Sequence, residues 1–163
     1  AALPLALKSV PGAQALHLAG KGKAEAVAAA YRDAGVDAVV REYLEDMAAA
    51  YGAADVVVCR AGASTLAELA AQRAPAVLVP YSHAAANHQD ANARAFERAG
   101  AVVRIPEASL SASLGGVLSD LLKSEGSSRR REEMSLSFDR LGLPPAATNV
   151  DVFAAALEAL AAS

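Results

Sequence analysis

The sequence predicts an α/β protein, a Rossmann-like parallel sheet flanked by helices. Three observations predict it. Short apolar or β-branched runs alternate with longer amphipathic stretches, the order of βαβ units rather than of hairpins. Two of the runs, Val56-Val57-Val58-Cys59 and residues 76–79, are continuously apolar, as are strands covered on both faces of a parallel sheet. Gly35, Gly100, Pro80 and Pro106 punctuate the pattern where helices or strands must stop.

Residues 1–10 read as a helix. Residues 15–19 form the first strand, ended by Gly20-Lys21-Gly22. Val27, Ala30, Tyr31 and Ala34 then fall at spacings of three and four, one face of a helix that Gly35 closes. Residues 37–42 are a second strand and 46–54 a helix, with Met47 and Tyr51 one turn apart. Strand 56–59, helix 65–72, strand 76–79, helix 89–99 and strand 101–105 follow. Residues 109–123, 125–141 and 150–161 are helices, the last two separated by Pro144-Pro145. Five strands with helical crossovers make a right-handed, parallel arrangement. A doubly wound domain usually opens with a strand and a glycine-rich turn. Here a helix comes first, so the first strand and its turn are expected upstream.

The length of 163 residues suits one domain. We take 1–163 as that domain, in part, with 109–163 as its C-terminal helices; residues 142–148 are the one weak linker candidate. The hydrophobic fraction of 54% is inflated by 43 alanines, which bury little area each. Net charge is −3 with both signs interspersed, which argues weakly against a nucleic-acid surface. Arg129-Arg130-Arg131 is followed at once by Glu132 and Glu133, and reads as a solvated helix face rather than a phosphate or membrane patch. Cys59 is the one cysteine, so no disulfide forms within the chain and a reducing compartment fits. Neither a membrane-spanning run nor a signal peptide is legible. The expected location is cytoplasmic, with any lipid met at the membrane surface.

Three segments carry candidate chemistry. In Cys59-Arg60-Ala61-Gly62-Ala63-Ser64-Thr65-Leu66-Ala67-Glu68, a buried strand ends and a helix begins near Ser64 or Thr65. The free N–H groups of a first helical turn bind phosphate or sugar hydroxyls. Gly62 allows close approach to the backbone, and the Glu68 carboxylate stands about one turn in, able to reach a hydroxyl pair. The same spacing equally fits a capping box, with Ser64 or Thr65 as cap and Glu68 as its partner.

The second segment, from Pro80 to Asn92, is a polar loop leading into a helix. Both segments lie at the carboxyl ends of strands, where open α/β sheets bind ligands. Gln89 and Asn92 share one helical face, and their amides can donate and accept together; a polar first turn capped by Asn87 is the plainer reading. His83 and His88 lack companion ligands for a metal. The third segment is Tyr43-Leu44-Glu45-Asp46-Met47. Its aromatic ring and extended backbone suit a flat base, while Asp46 also fits as an ordinary helix cap.

Taken together, the segments 44–51, 55–68 and 83–93 resemble, in order and spacing, the C-terminal domain of the MurG family of glycosyltransferases. The resemblance runs from about residue 15 to 105 and more loosely through the C-terminal helices. It implies the C-terminal half of a glycosyltransferase-B fold that binds UDP-N-acetylglucosamine, with no cofactor and no metal. It implies that Tyr43 packs on the uracil and Leu44 bonds its edge through the backbone. Glu68 then holds the ribose hydroxyls, and Ala63, Ser64 and Thr65 present N–H groups to sugar and diphosphate beside Gly62. Gln89 and Asn92, with His88 next to them, read the sugar; Met47 lines the pocket and Arg60 supports the loop. The implied reaction is an inverting transfer to a lipid-linked muramyl-pentapeptide at the cytoplasmic face of the bacterial membrane, in peptidoglycan synthesis. The family's glycine-rich turn and N-terminal acceptor domain have no counterpart in these residues, and Asn87 stands where an acidic residue is expected. No catalytic residue is therefore assigned, and the chain is expected to be inactive alone. A related transferase with another acceptor, a separate donor-binding subunit, and a non-catalytic UDP-sugar-binding module are the alternatives.

Overall fold

The computed structural model describes residues 2–81, 88–144 and 150–162. Among them, α1 (Ala2–Leu7) precedes β1 (Gln14–Leu18), α2 (Ala24–Ala34), β2 (Asp37–Arg41), α3 (Met47–Ala53) and β3 (Val57–Cys59). Then come α4 (Ala63–Gln72), β4 (Ala76–Leu78), α5 (His88–Ala99) and β5 (Val102–Arg104). After a short 3-10 turn, Glu107–Ser109, the chain ends in α6 (Leu110–Leu122), α7 (Ser127–Ser137) and α8 (Val150–Ala162), with a second 3-10 turn, Phe138–Leu141, after α7. Gly35 closes α2 as expected, in the left-handed region at φ 68°, its N–H reaching back to Arg32 and Tyr31 carbonyls.

All pairings are parallel. β3, β4 and β5 form one ladder, with Val57 opposite Ala76 and Ala76 opposite Val102. β1 and β2 form another, from Gln14 opposite Asp37 to Leu18 opposite Arg41. The five strands are therefore present, but they bond as a pair and a triple rather than as one ladder. An apolar run records how deeply a strand is buried, not which strand is its neighbour.

Period-two alternation places the core. Ala76 and Leu78 point into one apolar cluster with Tyr51, Leu66, Phe96 and Phe153. Val77, between them, points into the other with Tyr31, Ile105, Leu118 and Met134. β4 is thus covered on both faces, which explains its uninterrupted apolar sequence. Ala15, Ala38, Val40, Val56 and Val58 all pack against the second cluster, so β1, β2 and β3 share packing without sharing a ladder. The opposite face of the pair is open: Leu16 and Val39, cross-strand partners, are 48% and 51% exposed.

The ladder continues at its carboxyl end. The Val79 N–H donates to the Cys59 carbonyl at 2.8 Å, and the Ile105 N–H to the Leu78 carbonyl at 2.9 Å. Arg60, Pro80 and Pro106, each just past a strand, are consequently delivered to one rim of the sheet.

Candidate functional site

The turn after β3 is Arg60-Ala61-Gly62, and Gly62 is the N-cap of α4, in extended conformation (φ −71°, ψ 148°) with no side-chain cap bond. This corrects the capping-box reading: neither Ser64 nor Thr65 caps the helix, because the helix begins earlier, at Ala63. Ser64 and Thr65 therefore sit within the first turn, whose N–H groups lack intrahelical acceptors. Glu68, four residues after Ser64, falls on the same face. Ala63, Ser64 and Glu68 line a cavity of about 350 Å³ with Met47 and Tyr51 of α3 and Phe153 of α8.

Glu68 is exposed, but its carboxylate is held. The Tyr51 hydroxyl donates to Glu68 Oε2 at 2.7 Å. Tyr51 itself is buried, 8% exposed. Burial first, and the Glu68 carboxylate second, raise its pKa above that of an ordinary phenol, so it remains a proton donor. The Cys59 thiol at the end of β3 is pushed up to about 12, mainly by burial and further by the charge of Glu68. A thiol so held is a packing group rather than a nucleophile.

The segment joining β2 to α3 is a true helix entry. Asp46 caps α3, its Oδ1 accepting from the Ala49 N–H at 2.9 Å. Capping and ligand binding are not exclusive here, since Tyr43 stands 76% exposed just before the cap, with Leu44 half-buried. Glu42 accepts from the Gly22 N–H at 2.7 Å, which ties the Gly20-Lys21-Gly22 turn to the end of β2.

At the rim, Arg60 connects three strand ends. Its guanidinium meets Glu107 Oε1 at 2.6 Å and donates to the Val79 and Pro80 carbonyls at 3.3 and 3.4 Å. It also lies 5.3 Å from the centre of the Tyr81 ring, within cation–π range. The Gln89 carbonyl Oε1 accepts from the Tyr81 N–H at 3.0 Å. Gln89 thereby ties the start of α5 to the end of β4 and keeps its amide NH2 for other acceptors. Asn92 is buried, at 9% exposed, and His88 is exposed. His83 and Asn87 lie outside the described residues.

The structure thus brings Met47, Ala63, Ser64 and Glu68 to one cavity, and Arg60 and Gln89 together at Tyr81. Tyr43, Leu44, Gly62, Thr65, His88 and Asn92 do not line that cavity. Two residues escaped the sequence reading. Tyr51 registered only as a helix-face residue one turn from Met47, and Glu107 follows the last strand, far from the three segments. Only the pairing of strand ends brings Glu107 to Arg60.

Among the described residues, no three His, Cys, Asp or Glu side chains are grouped to hold a metal ion, and no helix is long and apolar enough to cross a membrane. A larger, open groove of about 530 Å³ lies beside Gly100, Val102, Arg130 and Arg140. It flanks the amino-terminal end of β5, away from the carboxyl rim, and contains none of the site residues above.

Residues 3–143 match the family model described as glycosyltransferase family 28 C-terminal domain. A protein of Chromohalobacter salexigens is 47% identical over 127 residues, covering 76% of this chain and 35% of that protein. One from Anaeromyxobacter sp. strain Fw109-5 is 45% identical over 134 residues, covering 82% and 35%. Both are named UDP-N-acetylglucosamine–N-acetylmuramyl-(pentapeptide) pyrophosphoryl-undecaprenol N-acetylglucosamine transferase. The chain spans about a third of the length of these curated relatives. The crystal structure of Acinetobacter baumannii MurG superposes with a TM-score of 0.78 at 29% identity, covering 99% of this chain and 45% of that one.

Proposed function

The chain belongs to the glycosyltransferase family 28 C-terminal domain family, and from that premise we propose that residues 1–163 are the UDP-sugar-binding part of an N-acetylglucosaminyltransferase of peptidoglycan synthesis. The observation that carries this reading is the cavity at the start of α4, which Glu68, Ser64 and Met47 line together. A carboxylate there accepts from two ribose hydroxyls, while the first-turn N–H groups face the diphosphate and lower the energy of the charge that builds on it. Tyr43 stacks on the uracil and Leu44 bonds its edge. Arg60 holds the rim in place through Glu107. Gln89, with one side of its amide engaged at Tyr81, offers its NH2 to a sugar hydroxyl beside His88 and Asn92.

In the reaction, the acceptor hydroxyl of a lipid-linked muramyl sugar attacks the anomeric carbon. The bond from that carbon to UDP breaks, and its electron pair leaves on the diphosphate. The hydroxyl proton passes to a base that this reading places outside the residues named above. The acceptor side lies in a separate domain, and the lipid keeps the assembled enzyme at the cytoplasmic surface of the membrane.

Calorimetry of the chain with UDP, UDP-N-acetylglucosamine and UDP-glucose tests the reading. The N-acetylglucosamine donor should bind more tightly than the glucose analogue. Equal, weak binding of all three would remove the sugar-reading role of Gln89 and Asn92. Transfer by the 163 residues alone would refute the missing base.

A further inference from the structure

We infer that Tyr51 is a positioning residue for the donor's ribose, its phenol fixing the Glu68 carboxylate in the orientation that accepts the two ring hydroxyls. The inference rests on the role given to Glu68 above. Glu68 is an exposed side chain with three rotatable bonds, and ordering such a side chain costs rotamer entropy. Tyr51 has far less freedom, because its ring is buried against the core formed by Leu66, Leu69 and Phe153. Its backbone is set as well, one turn after the Asp46 cap that starts α3. The rigid partner therefore orders the mobile one across the 2.7 Å bond from the Tyr51 hydroxyl to Oε2.

The bond leaves capacity for the ligand. A carboxylate has about four acceptor positions; Tyr51 uses one, on Oε2. Oε1 and the second lone pair of Oε2 remain for two hydroxyls. Both residues line the same cavity, so the fixed carboxylate faces the space a ribose would occupy. Met47 projects from the same face of α3 as Tyr51, which couples that helix to the nucleoside twice.

The test is calorimetry on the 163-residue chain with UDP and with 2′,3′-dideoxy-UDP, comparing wild type with Tyr51→Phe, Glu68→Ala and the double variant. Tyr51→Phe keeps the buried ring and removes only the donor. It should weaken UDP by about three- to tenfold, the entropy cost moved into the binding step, while leaving the dideoxy analogue within about twofold of wild type. On the Glu68→Ala background, Tyr51→Phe should cause no further loss, because the two residues act as one unit. Equal weakening of both ligands would mean a packing role, and wild-type affinity for UDP would mean no role; either overturns the inference while Glu68→Ala still reports on the ribose contact. If wild type fails to prefer UDP over its dideoxy analogue, the ribose role of Glu68 falls and the role of Tyr51 with it.

Discussion

Replacing Glu68 by alanine separates binding from folding at the residue on which the functional reading turns. Two effects should follow, and they are measured separately. The carboxylate is proposed to accept from two ribose hydroxyls, and hydrogen bonds to a charged group are worth about 1.5–3 kcal/mol each when well formed. Glu68 is exposed and solvated before binding, so the net loss for the two bonds together should be no more than one such bond is worth, about 1–3 kcal/mol, or roughly 5- to 150-fold in Kd. Folding should lose less. α4 is capped by Gly62 without a side-chain bond, so the helix start is untouched. The Tyr51 hydroxyl loses its acceptor, which should cost about 1 kcal/mol and lower Tm by about 2–4 °C. Calorimetry with UDP and thermal melting of the same sample give both numbers. A lowered Tm with an unchanged Kd for UDP would refute the reasoning, because Glu68 would then be a partner for Tyr51 and nothing more.

Phe96 is fully buried and meets Phe138 edge-on at 6.0 Å; Phe96→Ala should cost about 3–5 kcal/mol, read as a large fall in Tm or in denaturant midpoint. Asp46→Ala removes the α3 cap and should cost about 0.5–2 kcal/mol in a melt, with weaker UDP binding as well, since Met47 and Tyr51 ride on that helix. The Asp90 carboxyl is held below its ordinary pKa chiefly by the hydrogen bond from Arg94, with Arg104 adding to the effect. A carboxylate lowered on folding stabilises the native state above its unfolded pKa of about 3.9, and that stability is lost as pH falls below it. Between pH 5 and pH 3 (roughly the span around that value), the wild-type Tm should therefore fall more steeply than that of Asp90→Asn; parallel curves would show that the pair contributes nothing.

Much of the fold is legible in local pattern. β4 reads as buried on both faces because Ala76, Val77 and Leu78 are all apolar, and it is so placed. Gly35 reads as a helix stop because only glycine takes φ 68° cheaply. The strand-end segments that supply Arg60, Glu68 and Gln89 are likewise visible, as a small-residue turn and a polar loop that each follow a buried strand and lead into a helix. The start of α4 was less legible: Ser64 and Thr65 are favoured caps by type, yet Gly62 takes that position because the chain leaves the strand already extended. Propensity ranks candidates for a cap, but the backbone path into the helix chooses among them.

By itself the sequence determined which stretches are strands and helices, which faces are apolar, and which segments carry polar groups at strand ends, since these follow from side-chain period and from the conformational limits of glycine and proline. Only the tertiary structure decided who meets whom. Tyr51 reaches Glu68 across 17 positions, Arg60 reaches Glu107 across 47, and the five strands divide into a pair and a triple. The physical reason is that contacts between distant residues depend on the register of strand ends and the packing of helices over them, and no local periodicity encodes either.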